Sequence, residues 1–242
     1  MVSRETPPVP DVARGVFSST LPLAERYAAL LATEGVVRGL IGPREAPRLW
    51  ERHLLNCALL AEAVPEGADV CDIGTGAGLP GLVLAIRRPD LTITLVEPLL
   101  RRCTFLTEVV DQLGLPRVEV VRARAEEVHG QREFSVVTSR AVAPLGRLLG
   151  WSMPLVRQGG ALVAMKGSTV HDEIAAAQDE LRRFGAGDVR VSTYGTDVID
   201  PPTTVVRVEA GQPSRLVWEK AQQRSPAKDS SGRSSRRKGR RS

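Results

Sequence analysis

The stretch VCDIGTGAGLPG, residues 70–81, ends an apolar run on Asp72 and follows it with four glycines, Gly74, Gly76, Gly78 and Gly81. Glycine lets a backbone turn tightly and come close to a ligand. A phosphate would suit the glycines but would be repelled by the aspartate beside them. The pattern therefore asks for a ligand that carries a cation as well as polar atoms. The residues before it, ADVCDIG, read as a buried strand, and 79–88 as a helix, so the glycines fall on a strand-to-helix turn.

The same alternation continues outward. TITLVEP, VEVVRAR, FSVVTSRA and GGALVAMKG read as further buried strands, and 99–114, 145–157 and 170–184 as helices, the last with Ile174, Ala177, Leu181 and Phe184 on one face. Repeated strand-then-helix order predicts an α/β fold with a mostly parallel sheet, covered on both faces by right-handed crossovers. DVRVSTYG and TTVVRVEA have no helix between them, which predicts a final antiparallel hairpin. Upstream, Leu23, Tyr27, Leu30 and Leu31 and then Trp50, Leu54, Cys57 and Ala61 recur at helical spacing around the interruption GLIGPREAP. The expected division is a flexible N-terminus over 1–19, N-terminal helices over 20–64, the sheet domain over 65–211 and a disordered basic tail over 212–242.

In such sheets ligands sit beyond the carboxyl ends of the strands, at the switch in strand order. Those ends carry Asp72, Glu97, Ala125-Glu126, Ser139-Arg140-Ala141 and Lys166-Gly167. Read from Gly76, the glycine letters fit the dinucleotide fingerprint, with Glu97 placed to hold a ribose. That reading leaves Asp72 facing a pyrophosphate. Read from Gly74, the acid-x-Gly-x-Gly-x-Gly pattern resembles the first motif of class I S-adenosylmethionine-dependent methyltransferases, whose fold is Rossmann-like. The cofactor of that class has a sulfonium and an ammonium and no phosphate. Glu97 suits either nucleoside and does not choose between them.

RHLLNC (52–57), DIGTGAGLPG (72–81), SRA (139–141) and MKG (165–167) together resemble the RsmG family, also called GidB, over about residues 20–210. The resemblance implies transfer of a methyl group from S-adenosyl-L-methionine to N7 of a guanine in 16S ribosomal RNA, within the small subunit or a precursor of it. It implies cofactor-binding positions at Gly74, Leu79, Ala125, Glu126 and Arg140, to which the reading of the glycine loop and strand ends adds Asp72, Gly76, Gly78 and Glu97. His53, Asn56, Arg140 and Lys166 are the expected substrate-binding residues, with Arg140 and Lys166 the catalytic candidates: Arg140 for guanine O6 or phosphate, Lys166 for phosphate. Many members carry Asp-Ser where this chain has Asn56-Cys57, so no acid is available there.

Guanine N7 has an in-plane lone pair and needs no deprotonation, which agrees with the lack of an obvious general base. Asp200-Pro201-Pro202-Thr203 lies too late and lacks the aromatic of an adenine-amino methylase motif, and it reads as a rigid turn. No cysteine follows a proline, as cytosine-carbon chemistry would require. Methylation of another RNA, a protein or a small molecule remains the alternative within the class. Outside it stand a nicotinamide-dependent oxidoreductase and an RNA-binding protein without turnover.

Bulk features fit a chain of 242 residues, 42% hydrophobic, with one sizeable core. From Arg224 to Ser242 eight basic residues face one acid, Asp229, a net +7 against +5 for the whole chain, so the first 223 residues carry −2. Such a tail can meet nucleic acid through its phosphates or simply keep the chain in solution. Cys57, Cys71 and Cys103 are odd in number and not spaced for zinc, so they read as buried thiols, with no metal site. No run approaches the roughly 20 apolar residues of a bilayer span. A cytoplasmic monomer without membrane contact is expected.

Overall fold

A computed structural model describes residues 8–140 and 142–211. Its centre is a seven-stranded sheet in the order β3-β2-β1-β4-β5-β7-β6. The strands are β1 Asp69–Ile73, β2 Thr92–Val96, β3 Val118–Val121, β4 Phe134–Arg140, β5 Val156–Lys166, β6 Ala186–Tyr194 and β7 Thr203–Ala210. β1 to β5 pair in parallel. β7 inserts between β5 and β6 and runs antiparallel to both, so the predicted hairpin does close the sheet, with its second strand innermost. The central strands are buried on both faces, which explains their unbroken apolar runs.

The helices in chain order are α1 Asp11–Phe17, α2 Leu21–Leu30, α3 Asn56–Leu59, α4 Gly81–Arg87, α5 Leu100–Leu113, α6 Ala125–Val128, α7 Leu145–Ser152, α8 Val170–Ala176 and α9 Gln178–Arg183. α2 continues as a wide π-helical stretch to Gly35, and α3 is entered through another over Leu49–Leu55. α5 turns Cys103, Leu106, Val109 and Leu113 inward and ends on Gly114 in the left-handed conformation, a common helix stop. None of the described helices is long and apolar enough to cross a membrane.

Three expectations need correction. Within the stretch expected to be flexible, residues 11–17 form α1, because Ala13, Val16 and Phe17 are buried and Phe17 meets Trp50 edge to face. The helix expected over 145–157 ends at Ser152, where Pro154 enters a short 3₁₀ turn and β5 begins at Val156. The helix expected over 170–184 breaks at Ala177 into α8 and α9. The tail from residue 212 lies outside the described residues.

The N-terminal helices share a core with the sheet: Phe17, Tyr27, Leu31 and Leu54 belong to the same buried cluster as Val70, Leu82 and Ile93. A second cluster, built from Val137, Leu148, Leu162 and Val206, fills the opposite face. The helices at 11–63 are thus one wall of the sheet's own core. This is what puts their residues beside the glycine turn.

Candidate functional site

The strand order reverses between β1 and β4. Asp72 stands opposite Thr138 in their register, so Gly74 and Arg140 leave neighbouring strands at the same end. Beyond them lies a cleft of about 960 Å³, walled by the N-terminal helices on one side and the turn between β6 and β7 on the other.

The glycine turn is braced from below and from the side. Gly78 has φ +101°, and a Cβ there would lie 2.9 Å from the Tyr27 hydroxyl. That hydroxyl donates to the Ala77 carbonyl at 2.8 Å, so a fully buried α2 side chain holds the turn. Beneath it, Asp72 is wholly buried, and its Oδ2 accepts from the Thr75 hydroxyl at 2.5 Å and the Gly81 N–H at 2.8 Å. Its Oδ1 has no hydrogen-bond donor among the described residues. Burial pushes the Asp72 carboxyl up to about 7, against the pull of those two hydrogen bonds and the Arg140 charge. Glu97, 1% exposed, ties the turn to the next crossover: Oε2 accepts from the Gly76 N–H at 3.1 Å and from Arg102 at 3.3 Å, and Oε1 from the Leu99 N–H at 3.1 Å.

Arg140, at the end of β4, points toward the N-terminal wall. Its Nη1 lies 2.8 Å from His53 Nδ1 and donates to the Arg52 carbonyl at 3.3 Å. His53 Nε2 lies 3.1 Å from Glu45 Oε2. Because a guanidinium only donates, Nδ1 must accept, and the ring proton sits on Nε2 facing the carboxylate. Burial and the Arg140 charge lower the His53 pKa, which keeps the ring neutral in this arrangement. Cys57, buried near Arg140, is pushed up to about 11 by burial and stays a neutral thiol. Cys71 and Cys103 are likewise buried and free, as expected.

The cleft wall includes His53, Asn56, Gly74, Gly76, Leu79, Arg140 and Lys166. Asp72, Gly78 and Glu97 lie behind that wall as supports of the turn. Ala125 and Glu126 sit apart from it in the first turn of α6, beyond β3, with Glu126 exposed. Lys166 is tied to the strands and helices around it. Its ammonium, 7% exposed, donates to the Ala143 carbonyl and to Glu173 Oε2, each at 2.7 Å, while Glu173 also takes the Leu145 N–H at 2.8 Å. The charge expected to meet phosphate is engaged in clamping β5 to α7 and α8. Both His53 ring nitrogens are engaged by protein groups. Asn56 is bound by the buried Thr203, whose hydroxyl stands 3.0 Å from both the Asn56 backbone oxygen and its Oδ1.

Comparison with known proteins agrees with this architecture. Residues 20–197 match the family model described as GidB, rRNA small subunit methyltransferase G. The chain belongs to the GidB family. It is 67% identical over 218 residues to the ribosomal RNA small subunit methyltransferase G of a Nocardioides species, covering 90% of this chain and 87% of that one. It is 56% identical over 236 residues to the Streptomyces coelicolor protein of the same name, covering 97% and 98%. Among solved structures, a SAM-dependent O-methyltransferase from Thermotoga maritima matches with TM-score 0.52 and 14% identity, over 66% of each chain. TYW2 of M. jannaschii, in complex with AdoMet, matches with TM-score 0.51 and 16% identity over 64% of this chain and 74% of that one. At such identities these two show the fold, which is that of class I methyltransferases.

Three residues of this GidB-family site escaped the sequence reading. Glu45 lies in the Gly/Pro interruption, where an acid eight positions before a histidine carries no periodic signal. Tyr27 was legible only as an apolar position of a helix. Thr203 was legible as the end of the Asp-Pro-Pro-Thr turn and the start of the TTVVRVEA strand, but not as the residue that fastens Asn56. Ala141, the last residue of the SRA motif, lies outside the described residues.

Proposed function

We propose that this protein transfers a methyl group from S-adenosyl-L-methionine to N7 of a guanine in 16S ribosomal RNA, acting as a cytoplasmic monomer on the small subunit or its precursor. The observation that carries this reading is the family match over residues 20–197, falling on a chain whose cleft opens at the glycine turn between β1 and β4.

The residues present fit the cofactor. A buried carboxylate oxygen without a donor among the described residues, Asp72 Oδ1, lies under a glycine turn, which suits a cationic ligand better than a pyrophosphate. Gly74, Gly76 and Leu79 would hold it from the cleft wall. Asp72, Gly78 and Glu97 would fix the turn from behind, and Ala125 and Glu126 would extend the site past β3. When bound, the cofactor supplies a methyl on a sulfonium.

The chain's own residues then need to bind, orient and exclude water, and need not remove a proton, because guanine N7 offers a free lone pair. Neither His53 nitrogen is free to act as a base, which supports this acceptor over a hydroxyl or amine. Arg140 is the proposed catalytic residue, donating to guanine O6 or a neighbouring phosphate and so holding the purine for in-line attack. Asn56 would add a fixed polar edge to the same wall. Lys166 is reassigned from substrate contact to support of the strand end. The test is to incubate the protein with labelled S-adenosylmethionine and 16S RNA or 30S particles lacking the modification. Label in 7-methylguanine is the expected result. Label only in another base, in protein or in a small molecule would overturn the assignment.

A further inference from the structure

The geometry points to Glu45 as a positioning residue that acts on Arg140 through His53, an inference that rests on the proposed role of Arg140. A guanidinium at a strand end has many rotamers, and freezing it costs conformational free energy that must be met before the substrate arrives. Here it is met by two acceptors, the Arg52 carbonyl and His53 Nδ1. The second exists only in one ring tautomer. A neutral imidazole in solution divides its proton between two nitrogens, and with the proton on Nδ1 the ring would oppose a donor to Arg140. The Glu45 carboxylate, 3.1 Å from Nε2, accepts the proton of the accepting tautomer, so the choice does not fall on the Arg140 contact alone.

The linkage crosses the fold. Glu45 comes from the loop before the second N-terminal helical stretch, His53 from the π-helical turn, and Arg140 from β4, so a chain of two contacts joins the helical wall to the sheet. Wide turns of this kind are frequent at functional sites, and this one carries both His53 and the Arg52 carbonyl that hold Arg140. Glu45 is also held from its other side by Arg52 at 3.0 Å, which fixes its own position. The carboxylate has an electrostatic effect as well. A cationic methyl donor and a cationic methylated purine both oppose a bare guanidinium nearby, and an anion at the far end of the linkage offsets part of that charge.

The experiment uses the full chain in four forms besides wild type: Glu45→Ala, His53→Ala, the double variant, and His53→Asn. With undermethylated small-subunit RNA, Glu45→Ala should lower kcat about tenfold or more while leaving KM within about twofold, because a misaligned contact is felt mainly in the transition state. The double variant should be slower than His53→Ala by no more than about twofold, since the hydrogen-bonded route from Glu45 to Arg140 runs through His53 and only the weaker through-space charge and the Arg52 contact bypass it. His53→Asn should retain more activity than His53→Ala, because its carbonyl restores an acceptor where Nδ1 stood. Equal kcat for wild type and Glu45→Ala, or losses that multiply in the double variant, would overturn the inference. Ring-nitrogen NMR shifts of His53, read without substrate, test the linkage independently of turnover. The Nε2–H tautomer in wild type and a smaller Nε2–H fraction in Glu45→Ala, where Arg140 alone still favours it, are expected, and the Nδ1–H tautomer in wild type would refute the linkage even in an active enzyme. An inactive wild-type protein with the expected tautomer behaviour would instead sink the assigned reaction and leave the linkage standing.

Discussion

Asp72→Asn should make the cofactor-free protein more stable at alkaline pH and weaken its hold on the cofactor, two effects of opposite sign from one atom. Burial raises the Asp72 carboxyl from 3.8 to about 7 in the folded protein. Between those values the folded state holds a proton that the unfolded state has released, so stability falls as pH rises through this window and levels off above it. Integrated between pH 5 and pH 8, that linkage amounts to about 2–3 kcal/mol lost by the wild type and not by Asp72→Asn. For a chain of this size 1 kcal/mol moves the melting temperature by roughly 2–4 °C, so the gap between the two proteins should widen by roughly 5–10 °C from pH 5 to pH 8. The absolute offset is smaller than the wild-type loss. Asparagine must keep its oxygen toward Thr75 and Gly81 and so turn its amide to the position of Oδ1, which has no hydrogen-bond partner among the described residues, a cost of about 1–3 kcal/mol at every pH. Melting curves from pH 5 to 8, with and without S-adenosylhomocysteine or S-adenosylmethionine, measure both effects. Wild-type and variant profiles that run parallel would refute the buried-carboxyl argument. An undiminished ligand-induced shift in the variant would refute the anion's role in binding.

Tyr27→Phe should leave the Ala77 carbonyl without its 2.8 Å donor, costing about 1–2 kcal/mol and roughly 2–8 °C in melting temperature, and should also weaken binding of S-adenosylhomocysteine by calorimetry. An unchanged melting curve would show that the hydroxyl does not brace the turn. Gly78→Ala should abolish the ligand-induced melting shift, because its φ of +101° and the Tyr27 oxygen 2.9 Å from the new Cβ both resist a side chain; a normal shift would refute the close-packed turn. Lys166→Met should lower stability by about 1–3 kcal/mol in urea unfolding, since it strips Glu173 of its partner in a partly buried pair. It should leave the salt dependence of RNA binding unchanged, whereas a phosphate contact would reduce the log–log slope by about 1.

The sheet was legible because its physics is repetitive. β1, β2, β4 and β5 are buried on both faces and read as apolar runs, and the turn residues between them follow local rules. Helix ends were less legible where tertiary demands won, as at Met153–Leu155, where the chain leaves the helix early so that the long β5 can pair with both β4 and β7. The strand-end residues Asp72, Glu97 and Arg140 were found because polar groups at the mouth of an apolar strand stand out. What each one touches was not legible. Lys166 and Arg140 look alike in sequence, two cations closing adjacent strands. The difference lies in Glu173, seven residues after Lys166, which engages that cation directly, and Glu45, from a distant segment, which reaches Arg140 through a histidine.

That contrast explains why the N-terminal helices belong to the working unit. The sheet alone provides the turn, its buried acid and a cation at the switch point, while the restraints on the Arg140 guanidinium and on the glycine backbone from the open side come from elsewhere. Tyr27 and His53, from the helical wall, supply those two restraints at 2.8 Å each. They are buried or half-buried, so each restraint acts in a low-dielectric setting where a hydrogen bond is stronger and a missing one dearer. Detaching residues 8–63 would therefore cost the sheet more than stability: the face of the core covered by Phe17, Leu31 and Leu54 would be exposed, and the cleft would lose the wall that aims its arginine.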